Sequence, residues 1–489
     1  MLTVREHVQE KYRTGTAALV IGTIADAVGR QIEGAARGVS GLLFEPVIRL
    51  GVTGLSRAGK TVFITSLVAN LLDRGRMPGL EAARSGRIEA AYLQPQPDDT
   101  VPRFDFESHL AALTGPAPHW PDSTRSVSEL RLSLKVRPKG MLGGLSGLRT
   151  VHLDIVDYPG EWLLDLGLLE QDFSGWSAEA LARAEKRPEA EAFRARLETI
   201  DPDAPLSEPA AAALARDWTA YLLAARDAGY ADCTPGRFLL PGDLEGSPVL
   251  TFAPLPPSRA PRGSLARECA RRFEAYKAQV VKPFFRAHFA RIDRQVVLVD
   301  VLGAIHAGPA ALEDLRQAMA GILGAFRPGR SAFLSALLGT RRVDRILFAA
   351  TKADHLHHEQ HDRLAAIMAA LVADARRRAD FAGAQTQAMA IAALRATVEE
   401  RRSIDGTEMG LVRGILMDSG RQAALHPGDL PKDPAVLLHP AREGADQWLG
   451  GDYGVMRFAP APLTLRPGEG PPHIRLDRAA QFLLGDRLG

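Results

Sequence analysis

The chain has 489 residues, more than one compact core usually holds, so it divides into two or three domains or carries a large insertion. Apolar residues make up 46% and charged residues 24%, which excludes a disordered or fibrous chain. The 60 basic residues are matched by 58 acidic ones, a net charge of +2 that leaves no footprint for nucleic acid or an anionic membrane, and two cysteines, Cys233 and Cys269, exclude a disulfide scaffold and favour a reducing compartment.

Residues 1–45 read as an N-terminal helical segment, because Val20, Ile24, Val28 and Ile32 recur at four-residue spacing and make one apolar face. The start lacks the basic-then-apolar order of a secretory leader, and the run 16–24 is too short to span a bilayer. The expected location is the cytoplasm. Peripheral attachment at the inner membrane through the amphipathic segment stays open.

Residues 47–53, VIRLGVT, read as a buried strand, followed by a glycine-rich loop and a helix-like stretch over 62–72. The stretch 74–123 is rich in Pro, Asp and Gly and predicts loops and short elements. Residues 127–137 alternate apolar and polar as a half-exposed strand does, and 150–156, TVHLDIV, form a strand that ends at Asp157. From 161 to 290 the character changes to mixed charge with Ala and Leu. Leu265, Cys269, Phe273, Tyr276 and Val280 mark one long amphipathic helix within what reads as a helical insertion. Strands return at 295–302, 343–350 and 386–393, with helical patterns between them.

Strands alternating with helices predict parallel β-α-β units. The expected fold is α/β: a three-layer P-loop core with a mostly parallel sheet, interrupted by a large helical insertion. The expected divisions are 1–45 (helical segment), 46–160 (first part of the core), 161–290 (insertion), 291–400 (second part of the core) and 401–489 (C-terminal extension). The extension is rich in Pro and Gly and closes in a helix over 477–484 with Asp477 as its N-cap.

The segment GLSRAGKT over 54–61 fits G-x-x-x-x-G-K-[ST] at every fixed position. Gly54 and Gly59 let the backbone turn its N–H groups inward. The amides of Ser56, Arg57, Ala58 and Gly59, with Lys60, Thr61 and Val62 at the helix start, then form a nest for the α- and β-phosphates of a nucleotide. Lys60 reaches the β/γ oxygens, and Thr61 offers its hydroxyl to Mg²⁺. Asp157-Tyr158-Pro159-Gly160 follows a strand as D-x-x-G, which suits Asp157 to the metal and the Gly160 amide to the γ-phosphate. A Thr or Ser that joins the metal only with the triphosphate belongs between these motifs, and Thr124, beside Arg125, is the first candidate, with Ser126 second.

Thr351-Lys352-Ala353-Asp354 follows the strand RILFAA. A carboxylate there accepts two hydrogen bonds from guanine, N1–H and the 2-amino group, which adenine cannot offer. The Lys352 stem packs along the purine. Thr351 stands where Asn is usual, which lowers local rigidity. Ala393 and Leu394, after the next strand, are candidates to touch the guanine oxygen by backbone N–H. The order of the motifs favours GTP/GDP over ATP, while an ATPase or small-molecule kinase on the same loop, and a nucleotide-stabilised membrane scaffold, remain open. Glu161 occupies the place where many GTPases carry a water-orienting Gln. Its carboxylate adds negative charge beside the γ-phosphate, so slow turnover is expected unless an arginine such as Arg125 or Arg57 offsets it.

The stretches RLGVTGLSRAGKTVFITSLVANLL, DIVDYPGEWLLDL, PGRFLLPGDLEGSPVLTF, VVKPFFRAHFARIDRQVVLVDVLGAIHAG and PHIRLDRAAQFLLGD resemble those of the YcjX-like bacterial P-loop proteins. The resemblance runs from about residue 45 to the C-terminus. It implies a Ras-like GTPase core with a helical insertion, a link to bacterial envelope stress, and a membrane-protein partner or activating protein. Dimerisation stays open, and no nucleic-acid partner is expected. A cluster of histidines at 355, 357, 358 and 361 reads as a solvated loop and helix start rather than a metal site.

Overall fold

The computed structural model describes residues 45–489 apart from 56, 123–125, 140–146, 289–290, 325–342, 382, 405, 449–452 and 455. The expected helix over 1–45 therefore lies outside the described residues, Glu45 excepted. Everything below belongs to the compact unit that begins at Val47.

Seven strands form the main sheet: β1 (Val47–Gly54), β2 (Ile88–Gln94), β3 (Ser128–Val136), β4 (Arg149–Asp157), β5 (Arg294–Val299), β6 (Arg345–Ala350) and β7 (Gln385–Ala390). Their order is β2-β3-β4-β1-β5-β6-β7. From β4 to β7 neighbours run parallel, and β3 and β2 extend the sheet antiparallel. The buried central strands carry near-continuous apolar runs, as strands covered on both faces must. β2 went unread in the sequence because its seven residues, IEAAYLQ, are mostly half-buried and alternate poorly.

Each face of the sheet has its own core. On one face Ile48, Leu50 and Val52 pack with Phe63, Ile64 and Leu67 of α1 (Lys60–Leu72). This helix is buried nearly all round, and each fully buried Phe, Ile or Leu stabilises by about 1.5–3 kcal/mol. Asn70 of α1 donates to the carbonyls of Ser66 and Pro471 at 2.9 and 3.0 Å, which ties the C-terminal segment to the helix. On the other face Val297 and Val299 join the helices that connect β4 to β5. These include α2 (Phe173–Glu185), α3 (Glu208–Ala228) and α4 (Leu265–Tyr276). Trp176 stacks on Phe273 at 5.0 Å and meets Trp218 edge-on at 6.2 Å, so aromatic contacts fix how these helices cross.

The long helix expected from Leu265 is not uniform. After Tyr276 one π-turn, Lys277–Val281, shifts the register before the helix resumes at Lys282–Ala287. Pro283 explains the shift: it has no N–H to donate into the preceding turn.

After β7 the chain forms a second sheet that the sequence did not announce, beginning at Val398. In it β9 (Thr407–Leu416) pairs antiparallel with β8 (Val398–Ile404), β10 (Gln422–Leu425) and β11 (Phe458–Ala459). The strand VEERRSI carries four consecutive charges, so its hydropathy hides its pairing. The closing helix spans Leu476–Leu484, but its N-cap is Arg475 in the left-handed region. Asp477 instead sits inside the first turn and accepts the Gly79 N–H at 2.7 Å, bracing a loop rather than capping a helix. Among the described residues no helix is long and apolar enough to cross a membrane.

Candidate nucleotide-binding site

β1 ends at Gly54 and α1 begins at Lys60, so the loop between them faces the C-terminal ends of the parallel strands, where α/β sheets place their ligands. Gly54 is required by space: a Cβ there would lie 2.7 Å from the Leu298 carbonyl oxygen on β5. Gly59 is required by conformation, with φ +82°, and a Cβ there would meet nothing within 4 Å. Arg57 also takes a left-handed conformation, φ 62°. The Lys60 ammonium is buried and donates to the Gly54 carbonyl at 2.6 Å, which folds its side chain back over the loop. No acidic residue occupies the first turn of α1, so the positive end of the helix dipole is left for an anion. Thr61 is buried in that same turn, and Ala58 closes the loop by donating to the Leu55 carbonyl at 3.1 Å. Val62 is the next residue of the turn, and Ser56 lies outside the described residues.

The second motif meets the first directly. Asp157 is the last residue of β4 and stands in register with Val52 of β1. Three residues on, the backbone turns so sharply that a Cβ on Gly160 would lie 1.9 Å from the Gly54 carbonyl oxygen. Glu161 is buried and opens a single helical turn, Glu161–Leu164. Its carbonyl is covered by the connection between β4 and β5, since a Cβ on Gly236 would lie 2.1 Å from the Glu161 oxygen. Trp162 donates to the Leu240 carbonyl at 3.2 Å, and the Arg237 guanidinium stacks 3.3 Å over its ring. Asp165 accepts the Gly236 N–H at 2.8 Å and the Tyr276 hydroxyl at 2.5 Å. Burial pushes the Asp165 carboxyl up to about 7 against those hydrogen bonds.

The third motif follows β6. Thr351 is anchored to β5, its N–H and hydroxyl both donating to the Val299 carbonyl at 2.9 and 3.3 Å. Lys352 is left-handed, φ 59°, and its ammonium pairs with Asp300 at the end of β5. Asp300 also accepts the Gly303 N–H at 2.9 Å and so caps α5 (Val301–Ala307). Asp354 is buried, with one carboxylate oxygen accepting the Ala396 N–H at 2.9 Å, and the Thr397 hydroxyl bonds its carbonyl. The loop partner of Asp354 is thus Ala396, later in the chain than Ala393 and Leu394. The residues that flank Ala393 and Leu394 are tied to the C-terminal segment: Ala392 and Ile474 exchange hydrogen bonds at 3.1 and 2.8 Å, and Arg395 N–H meets the Pro472 carbonyl at 2.8 Å.

Gly54, Asp157, Gly160, Thr351, Lys352 and Asp354 are gathered at neighbouring strand ends. Thr124 and Arg125 fall outside the described residues, and Ser126 beside them is exposed. Arg57 reaches Asp227, at the end of α3, at 3.4 Å, with both side chains largely exposed. The sequence reading missed Asp300, Asp165, Gly236, Asp227 and Ala396. Asp300 alone carried a signal, as a carboxylate ending the strand QVVLVD.

The strand bearing the glycine loop lies between the strand that ends in Asp157 and the strands that lead to Asp354, with one antiparallel pair beyond. That arrangement is a P-loop NTPase fold of the Ras-like type, carrying a helical connection between β4 and β5. Within that class the chain belongs to the YcjX-like family, whose model matches residues 48–488. It is 37% identical over 456 residues to the Ras-like GTPase YcjX of Escherichia coli (strain K12), covering 90% of this chain and 96% of the relative. It is 36% identical over 468 residues to the protein of the same name from Shewanella oneidensis (strain MR-1), covering 90% and 94%.

Proposed function

We propose that this chain binds GTP together with Mg²⁺, hydrolyses it slowly to GDP and phosphate, and changes state with the nucleotide. The observation that carries the reading is the contact of Gly160 with Gly54, because it seats the D-x-x-G backbone on the phosphate loop. The names of the relatives, both Ras-like GTPases, support guanine over adenine.

Thr61 and Asp157 are hard oxygen donors on adjoining elements, a set that fits Mg²⁺ rather than a softer ion. Bound there, the metal supplies charge neutralisation on the phosphate oxygens. Lys60 exchanges its hydrogen bond with the Gly54 carbonyl for the β/γ oxygens, and the loop amides hold the remaining charge. The Gly160 amide meets the γ-phosphate. Asp354 receives guanine N1–H and the 2-amino group while Ala396 holds its carboxylate in place. Thr124 is the switch hydroxyl. Glu161 orients the attacking water poorly because its charge opposes the approach of negative phosphate, and turnover is therefore slow. Arg125 or Arg57 supplies the compensating cation; the pair of Arg57 with Asp227 is exposed, so Arg57 is able to leave it.

The segment 160–165 is fastened to the helical connection through Gly236 and Tyr276, so loss of the γ-phosphate contact is felt there. The family resemblance supports a role in bacterial envelope stress, at the cytoplasmic side of the inner membrane, with an activating or membrane-protein partner.

The test is equilibrium binding of GTP, GDP and ATP with Mg²⁺, followed by single-turnover hydrolysis. GTP and GDP should bind at least tenfold tighter than ATP, Lys60→Ala should abolish binding, and turnover should be slow. Equal ATP binding, or fast hydrolysis unaffected by Glu161→Ala, overturns the reading.

A further inference from the structure

Three residues beyond Asp354 the chain brings together a second set of ligating groups. One ligand atom from each of His357, His358 and Glu359 lies within 4.8 Å of the others. His357 is buried, only 4% exposed, yet its Nδ1 makes no hydrogen bond among the described residues. That nitrogen faces Glu359 Oε2 at 3.4 Å. Two donors on one tetrahedral ion, each about 2.0–2.1 Å from the metal, stand about 3.3 Å apart.

The surroundings hold these groups in place. Arg401 takes the other oxygen of Glu359, Oε1, and leaves Oε2 toward the histidine. Arg395 binds Oε1 of Glu399 on β8 at 3.2 Å, while Glu399 Oε2 meets His358 Nδ1 at 2.5 Å. A carboxylate that takes the N–H of one ring nitrogen leaves the other nitrogen as a lone-pair donor, as in zinc-bound histidines. The His357 ring is pinned against β9, where a Cβ on Gly410 would lie 2.6 Å from its Cγ. The His357 and His358 rings stand 4.2 Å apart. His361 takes no part, its Nε2 lying 3.2 Å from the Leu356 carbonyl.

We propose that His357, His358 and Glu359 bind a divalent transition-metal ion, zinc by ligand chemistry, with Glu399 as the positioning carboxylate behind His358. Two imidazoles select against Mg²⁺ and Ca²⁺. The ion clasps three consecutive residues of the loop after Asp354, and Glu399 behind His358 ties that loop to β8, which stiffens the turn. The side chains of His358 and Glu359 are 60% and 55% exposed, so an ion has access from solvent. The proposal does not depend on which nucleotide the chain binds.

The full chain is stripped with chelator, saturated with Mg²⁺ and GDP, and titrated with Co²⁺. One equivalent should bind with the visible d–d absorption of a low-coordinate nitrogen–oxygen site, and Zn²⁺ should displace it. His358→Ala, at an exposed position that leaves the core intact, should weaken binding at least a hundredfold. Glu399→Gln should weaken it about 10–100-fold while keeping the absorption spectrum, the signature of a positioning group. Absence of stoichiometric Co²⁺ or Zn²⁺ binding beyond Mg²⁺, or binding undiminished in His358→Ala with native circular dichroism, overturns the proposal.

Discussion

Gly160 rests on Gly54 with no side chain between them, its absent Cβ position only 1.9 Å from the Gly54 carbonyl oxygen. The φ and ψ of Gly160, −65° and −28°, are those of an ordinary right-handed helix, which any residue adopts. The glycine is therefore demanded by proximity, not by conformation.

Gly160→Ala consequently tests the contact without straining φ. The added methyl must push the D-x-x-G turn from the phosphate loop, and overpacking of this kind costs about 1–3 kcal/mol. The expected outcome is a lowered melting temperature and GTP affinity reduced tenfold or more, with GDP affinity reduced less because only GTP brings a γ-phosphate to the Gly160 amide. Calorimetry of the two nucleotides checks it. Equal losses for GTP and GDP would assign the contact to loop stability alone.

Asp354→Asn tests the choice of base. The asparagine carbonyl keeps the Ala396 N–H as donor, so the turn survives, while the amide faces the base where the carboxylate stood. Guanine then meets a donor with its own donors. GTP affinity should fall by a factor of ten or more, and xanthosine triphosphate, which offers an oxygen in place of the 2-amino group, should gain. Competition binding between the two nucleotides measures the inversion, and unchanged preference would remove Asp354 from base recognition.

What the sequence made legible follows from how local each signal is. Gly54, Lys60 and Thr61 sit within one strand-loop-helix unit, so their spacing alone specifies the nest. Asp157 and Gly160 were legible for the same reason, as a strand end and a turn. Asp165 was not, because its meaning comes from Gly236 and Tyr276, 71 and 111 residues away. Ala396 was missed because the loop after β7 is first captured by residues 472–474, which no local pattern reveals. β8 was hidden by its charges, since Glu399 and Arg401 are placed there by pairing with the histidine loop and not by hydropathy.

Asp165 gives the pH dependence its sign. Its carboxyl is raised to about 7 in the folded chain, whereas an unfolded Asp titrates near about 3.9. Between those values the folded state keeps a proton that the unfolded state has lost, so this group's contribution is complete below the lower value and is lost as pH rises through the upper one. The slope in that window is about 1.4 kcal/mol per pH unit for a fully coupled group. Asp165→Asn mimics the protonated form: its oxygen accepts the Gly236 N–H and its amide donates to the Tyr276 oxygen. Urea unfolding from pH 4 to 8 should show a flatter profile for the variant and a relative gain for it above pH 7. Parallel profiles would place the ionisation elsewhere.

Asp300 joins two tasks through its two oxygens, since Oδ1 caps α5 and Oδ2 pairs with Lys352. Removing the cap costs about 0.5–2 kcal/mol of stability. Asp300→Asn separates the tasks. Its side-chain oxygen still accepts the Gly303 N–H, but it no longer carries the charge that restrains Lys352. Lys352 is left-handed at this turn, and its ammonium is restrained there by the pair with Asp300. Asp300→Asn should therefore keep most of the melting temperature and weaken guanine nucleotide binding severalfold, whereas Asp300→Ala should lower both. Thermal denaturation paired with GDP titration of the two variants distinguishes them. An asparagine variant with full affinity would show that the ion pair with Lys352 has no part in holding the base.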